Sequence, residues 1–209
     1  GLGAGLLLIG RDFGYVADKT QWQYRGPGGQ RHGLPYPALR GACQLANAAA
    51  CITTLDQLRD RVPVTAQDIR SGLLLADLAG RFQVLPGRPQ VILDVAHNPH
   101  AARALAASLA GMPKSAQTIA VFAMLKDKDV AGVVDAVKNR ITHWFVATTE
   151  GPRGAVVQQL AAGLQRAGIT APVTRFEDVA GAWRAACKTA AEDDKIIVFG
   201  SFLTVAAVM

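Results

Sequence analysis

The sequence predicts an α/β protein: a Rossmann-like, doubly wound and mostly parallel sheet in the larger C-terminal part, preceded by a segment of short strands and two helices. Three observations carry this. Apolar runs at Val91 to Leu93, Thr118 to Met124, His143 to Thr148, Val173 to Phe176 and Ile196 to Phe199 lack the polar alternation of a half-exposed strand, as expected of strands covered on both faces. A helix-like segment follows each of them, so the strands run parallel with right-handed crossovers. Polar clusters come directly after several of the runs, at the carboxyl ends of strands, where open α/β sheets bind ligands.

In chain order, Gly1-Leu2-Gly3-Ala4-Gly5 is not a dinucleotide fingerprint, because no strand precedes it and the third spacing is wrong. Leu6 to Ile9 reads as a strand, Arg11 to Tyr15 as a turn and second strand, and Gln21 to Arg25 as a third. With the turn cluster Gly26-Pro27-Gly28-Gly29 these form a small antiparallel patch. From Tyr36 onward, Leu39, Ala42, Leu45, Ala46, Ala49 and Ile52 follow a helical period. Asn47 lies among alanines in that helix, either as a solvated position or as a polar contact to a ligand. A second helix starts at Thr65, with Gln67 and Asp68 in its first turn. Ile69, Leu73 and Ala76 share one face and Leu74 and Leu78 another, so most of its circumference should be buried before it ends near Gly80.

Arg81 marks the hinge to the second region. Its planar guanidinium suits phosphate oxygens across a cleft, or else a surface ion pair. Asp94 closes the Val91 strand, His97 and Asn98 follow, and Pro99 suits the first turn of a helix over His100 to Leu109. Asp94 is then either a cap or a ligand contact, and an anion could sit at that helix start beside Asp94 and His97. The Thr118 strand leads to Lys126-Asp127-Lys128-Asp129 and a helix over Val130 to Asn139. Lys126 comes straight off the strand, whereas Asp127 and Lys128 read as a solvated helix start. The His143 strand leads to Glu150-Gly151-Pro152-Arg153, in a turn that restricts Arg153, and then a helix over Val156 to Ala167. A helix over Val179 to Ala191 is anchored by Trp183, and Gly200-Ser201 closes the last strand before a final helix from Leu203.

Composition narrows the function classes. No apolar run reaches membrane-spanning length without a charge or glycine, so a cytoplasmic protein with no membrane partner is expected. Cys43, Cys51 and Cys187 are odd in number and lack Cys-x-x-Cys spacing; they read as reduced, buried thiols. The 22 Lys and Arg against 16 Asp and Glu give a net charge of +6, but the basic residues are scattered with no aromatic platform. The positive field therefore points to anionic small molecules rather than nucleic acid. Asp94, His97 and His100 gather no further ligand type, and no metal site is assigned.

Asp-Val-Ala-His-Asn-Pro-His-Ala-Ala from Asp94, preceded by Ala79-Gly80-Arg81-Phe82, resembles the bacterial bifunctional dihydrofolate synthase/folylpolyglutamate synthase family of the Mur-ligase-like superfamily. The likeness continues through Met124 to Asp129, Glu150 to Ala155, and Gly200-Ser201-Phe202: ordered motifs over more than half the chain. The resemblance implies an ATP-dependent amide ligase of folate biosynthesis and one-carbon metabolism. In it, the carboxylate of dihydropteroate or a folylpolyglutamate is phosphorylated and the amine of L-glutamate attacks the acyl phosphate. By the same resemblance Asn47, Arg81 and Asp94 bind ATP, Asp94 and His97 serve catalysis, and Lys126, Arg153 and Ser201 hold glutamate. His97 is the conceivable base for the amine.

The chain contains no Gly-x-x-x-x-Gly-Lys-Ser/Thr. In the family that phosphate loop and the Mg2+ ligands belong to a preceding domain. Residues 1–82 are therefore expected to be the remnant of an ATP-binding central domain and 83–209 a glutamate-ligase C-terminal domain. An inactive fragment of an enzyme that is monomeric when complete is the expectation. A Mur-type cell-wall ligase and a stand-alone nucleotide-binding module are the alternative readings.

Overall fold

The computed structural model describes residues 5–41 and 43–209. The pseudo-fingerprint at residues 1–4 and the helical position Ala42 lie outside the described residues. The chain divides into two compact units, Gly1–Asp77 and Leu78–Met209.

In the first unit, β1 (Gly14–Ala17), β2 (Trp22–Gly26) and β3 (Gly29–Leu34) form an antiparallel sheet in sequence order. The expected glycine-rich turn joins β2 to β3, and β3 itself was not foreseen. Trp22, Tyr24, Leu34, Ala49, Ile52 and Ile69 are buried together in a small core with Phe13. Tyr24 enters with its hydroxyl satisfied, 2.9 Å from Thr53 Oγ1 and donating to Asp56 Oδ2 at 3.1 Å.

Three expectations fail here. Leu6 to Ile9 is not a strand: the amides of Arg11 and Asp12 turn back to the Leu8 carbonyl, Asp12 Oδ2 accepts from the Leu8 N–H at 2.8 Å, and Leu6, Leu8 and Ile9 are exposed. The first helix, α1 (Gln44–Gln57), begins well after Tyr36: Pro37 disfavours helical backbone at Tyr36, and Gly41, with φ of 132°, is not helical either. The second, α2 (Ala66–Leu75), starts as expected: the Thr65 hydroxyl accepts from the Asp68 N–H and the Asp68 carboxylate accepts from the Thr65 N–H. It ends before Gly80, however, at an extended Ala76. Only Ile69 on it is fully buried, while Leu74, Leu75 and Leu78 are exposed. A core this small covers one helix face, not most of the circumference.

The second unit is a six-stranded sheet: β4 (Gln83–Leu85), β5 (Gln90–Asp94), β6 (Thr118–Phe122), β7 (His143–Ala147), β8 (Val173–Phe176) and β9 (Lys195–Phe199), in the order β4-β5-β9-β6-β7-β8. All neighbours are parallel except the unforeseen edge strand β4, which runs against β5. The crossovers through α3 (Pro99–Ala110), α4 (Val130–Val137) and α5 (Val157–Arg166) all step the same way along the sheet, and the one through α6 (Val179–Thr189) steps back. With right-handed crossovers this sets three helices on one face and α6 on the other. A short α7 (Phe202–Ala206) ends the fold.

Every residue of β9 is buried, as its central place requires. Phe122, Trp144 and Phe199 stack in the core with ring centroids 4.9 to 6.1 Å apart. Helix α4 shows packing overriding propensity. Its valines are poor helix formers, yet Val130, Val133, Val134 and Val137 recur on one buried face.

The three cysteines are exposed rather than buried. Cys51, for example, lies beside the buried face of α1, which is taken by Ala49, Ile52 and Thr53. Among the described residues no helix is long and apolar enough to cross a membrane.

Candidate functional site

Strand register brings the polar motifs to one edge. Asp94 pairs with Phe199, Phe199 with Phe122, and Phe122 with Val146, so β5, β9, β6 and β7 end flush. The chain leaves each strand there through a different motif: Asp94 to Asn98, Gly200-Ser201, Leu125 to Asp129, and Thr149 to Gly154. With neighbouring strands about 4.8 Å apart, the β5 and β7 loops are separated by roughly 14 Å.

At the β5 end, Asp94 is partly buried and its carboxylate is committed to the backbone. Oδ2 accepts from the Phe82 N–H at 3.0 Å and Oδ1 from the Ala96 N–H at 2.7 Å. Phe82 is buried with φ of 47°, the left-handed region that a bulky side chain avoids, so Asp94 clamps a strained residue next to Arg81. Desolvation raises the Asp94 carboxyl above the usual range, against the opposing pull of the two N–H bonds and the nearby Arg81 charge. The cap of α3 is Asn98 instead, whose side-chain oxygen accepts from the Ala101 N–H at 2.9 Å, with Pro99 at the first turn. His97 Nδ1 lies 2.8 Å from the Val95 carbonyl. A carbonyl only accepts, so Nδ1 carries a proton, and in the neutral ring Nε2 is the nitrogen with the lone pair. Arg81 is exposed, its guanidinium carbon 5.8 Å from the Phe202 ring centroid.

At the β6 and β7 ends two loops are stitched through their backbones. The Lys126 N–H donates to the Arg153 carbonyl at 2.9 Å and the Ala155 N–H to the Met124 carbonyl at 3.0 Å. A Cβ on Gly154 would overlap the Thr149 carbonyl, and Gly151 has φ of 92°, so this path demands glycine at both positions. Lys126 is exposed. Arg153 Nη2 donates to both Asp127 oxygens, at 3.0 and 3.2 Å. Asp127 is thus part of the cluster rather than a merely solvated helix start, and Lys128 Nζ lies 3.4 Å from it. Desolvation works to raise the Asp127 carboxyl, but the Arg153 hydrogen bonds and the Arg153 and Lys128 charges outweigh it and hold it below the usual range. Asp129 caps α4 by accepting from the Gly132 N–H at 2.9 Å.

Ser201, at the β9 end, is buried. Its oxygen accepts from the Thr204 N–H at 3.0 Å and lies 2.6 Å from Thr204 Oγ1. Thr204 Oγ1 spends its own proton on the Ala123 carbonyl at 2.7 Å, so the Ser201 hydroxyl is the donor within the pair. Gly200 before it has φ of 116°, and a Cβ there would overlap the Ala123 carbonyl.

Asn47 belongs to the first unit and is not part of this edge group. It is exposed on α1, its amide 3.3 Å from Gln44 Oε1. It borders an apolar cavity of about 330 Å3 between α1 and α2, lined by Ala48, Cys51, Ile52, Ile69 and Leu73. Among the described residues no group of three His, Cys, Asp or Glu side chains converges to hold a metal ion. Two features escaped the sequence reading: the Asp94 clamp on Phe82 and the Asp127–Arg153 pair. The first had no sequence signal, and the second had only the opposite charges of two loops.

Residues 80–202 match the family model described as "Mur ligase, glutamate ligase domain". The dihydrofolate synthase/folylpolyglutamate synthase of Escherichia coli K12 is 38% identical over 207 residues, covering 99% of this chain and 46% of the relative. E. coli FolC in complex with DHPP and ADP superposes with a TM-score of 0.83 at 37% identity, covering 96% of this chain and 46% of that one. A bifunctional folylpolyglutamate synthase/dihydrofolate synthase with Mn, AMPPNP and L-glutamate bound gives 0.85 at 41% identity, over 100% and 48%. The chain spans about half the length of the curated relatives it matches. With its motifs lined along one sheet edge and a domain match over more than half its length, the chain belongs to the Mur ligase family, and its relatives there are dihydrofolate synthase/folylpolyglutamate synthases.

Proposed function

We propose that the protein carrying this chain is an ATP-dependent amide ligase that joins L-glutamate to dihydropteroate, to folylpolyglutamate, or to both, through an acyl phosphate. The observation that carries the reading is the flush carboxyl edge, where four strands deliver Asp94, His97, Lys126, Arg153 and Ser201 side by side. Residues 83–209 are the glutamate-ligase domain in this proposal, and 1–82 the end of an ATP-binding domain to which Asn47 contributes a nucleotide contact. The enzyme works in the cytoplasm as a monomer.

The residues present fit a nucleotide in part. Arg81 offers a permanent cation, the start of α3 offers the His100 N–H, since Pro99 has none and Asn98 holds that of Ala101, and the neutral His97 ring offers Nε2 as an acceptor. ATP supplies the phosphoryl group that makes the acceptor carboxylate electrophilic. Mg2+ would be held by residues other than these, since among the described residues no group of three His, Cys, Asp or Glu side chains converges.

Asp94 acts by fixing Phe82 and hence the start of the Arg81 side chain. Lys126 and Arg153 take the carboxylates of L-glutamate and hold its amine towards the acyl phosphate, which is chiefly a matter of placement and charge. His97 Nε2 accepts the amine proton as the C–N bond forms, and the bond from the acyl carbon to the phosphate oxygen breaks to release inorganic phosphate. Ser201 contributes by capping α7 and so fixing the turn between these groups. The test is the product: the reading expects ATP-consuming amide formation that requires L-glutamate and a dihydropteroate or folyl acceptor. Ligation of a different amino acid with glutamate inert would overturn it.

A further inference from the structure

Arg153 is already engaged by a carboxylate, and that carboxylate is the chain's own. Both Asp127 oxygens sit within 3.2 Å of Arg153 Nη2, which is the contact a substrate carboxylate would make with the same guanidinium. Side-chain exposure of 64% for Arg153 and 46% for Asp127 leaves the pair open to solvent and to an entering ligand. An ion pair this exposed adds little to stability. The loops do not need it either, since the Lys126–Arg153 and Met124–Ala155 backbone hydrogen bonds and the Leu125–Gly154 bridge already join them. Lys128 lies 3.4 Å from Asp127, so releasing Arg153 does not strand a lone negative charge.

We infer that Asp127 is an intramolecular competitor for the carboxylate-binding face of Arg153, displaced when glutamate enters and thereby setting the affinity for it. The inference rests on reading Arg153 as a glutamate contact. Asp127 keeps the guanidinium paired and oriented while the site is empty, and glutamate binds only by replacing one carboxylate with another. Its second carboxylate, which Asp127 cannot imitate, gains Lys126.

The test is an NMR-monitored titration of the isotopically labelled full-length ligase carrying this chain with L-glutamate, for the wild type, Asp127→Asn, Arg153→Ala and the double variant, with thermal unfolding as a check on the fold. Asp127→Asn should lower the Kd for L-glutamate by about two- to fivefold, the range expected for one exposed ion pair. Arg153→Ala should raise it, and on the Arg153→Ala background Asp127→Asn should change nothing, because no competitor remains to be removed. A weakened Arg153→Ala with an unchanged Asp127→Asn overturns the inference and leaves the site reading intact. An unchanged Arg153→Ala, or no binding by any of the four proteins, overturns the site reading and the inference together. A higher Kd for L-glutamate in Asp127→Asn, with glutarate unaffected, shows instead that Asp127 reads the amine, and also overturns it.

Discussion

The two carboxylates at the sheet edge make an instructive pair. Asp94 is largely withdrawn from water, both oxygens taken by backbone N–H groups, its carboxyl raised by desolvation. Asp127 is half exposed, bonded to a side chain, and its carboxyl is lowered by neighbouring cations. Both follow strand ends in the same motif-bearing edge, yet one builds the site and the other stands where a ligand would act. Fixed partners mark an architectural acid, and exchangeable partners a functional one.

Replacing each in turn should expose that difference, beginning with the largest effect. Asp94→Ala leaves the Phe82 and Ala96 N–H groups without acceptors and should destabilise the domain by about 2–4 kcal/mol. Chemical denaturation of the chain measures this, and a change below about 0.5 kcal/mol would break the contrast, because Asp94 would then be no more structural than a surface residue. Gly200→Ala forces a Cβ onto the Ala123 carbonyl at a φ that L-residues avoid, and should cost about 2–3 kcal/mol in the same assay. Ser201→Ala removes the cap of α7, for about 1–2 kcal/mol, with Ser201→Thr keeping most of it.

The smallest effect is in pH dependence and has opposite signs at the two acids. A raised folded pKa makes the Asp94 contribution fully present below the ordinary carboxyl range and lost as pH rises through the folded value. The Asp127 contribution is present above that range and lost as pH falls through its depressed folded value. In denaturation curves collected across the acid range, Asp94→Asn should therefore remove a loss of stability on raising pH, and Asp127→Asn a loss on lowering it. Equal signs would dissolve the distinction.

Much of the second unit was legible because its strands are apolar on both faces and a helical stretch follows each of the long ones, the first of them opened by Pro99. The first unit was legible only in part: the glycine-rich turn and the Thr65 helix start were read, but short half-exposed strands give little periodicity. Leu6 to Ile9 looked like a strand for want of any signal that Asp12 would fold it back. The site's position could be read from motifs at strand ends, but its wiring could not. That Thr204 reaches the Ala123 carbonyl over Ser201 depends on β9 lying beside β6, and this insertion leaves no mark on the sequence near either residue. That Asp127 turns towards Arg153 joins the loops after the adjacent strands β6 and β7, with only their opposite charges as a signal.

The account stands most directly on Arg153. In the full-length ligase carrying this chain, Arg153→Ala should raise the KM for L-glutamate by about tenfold or more while the KM for ATP stays within about twofold, as loss of one charge-assisted carboxylate contact requires. Equal rises in the two constants would contradict it.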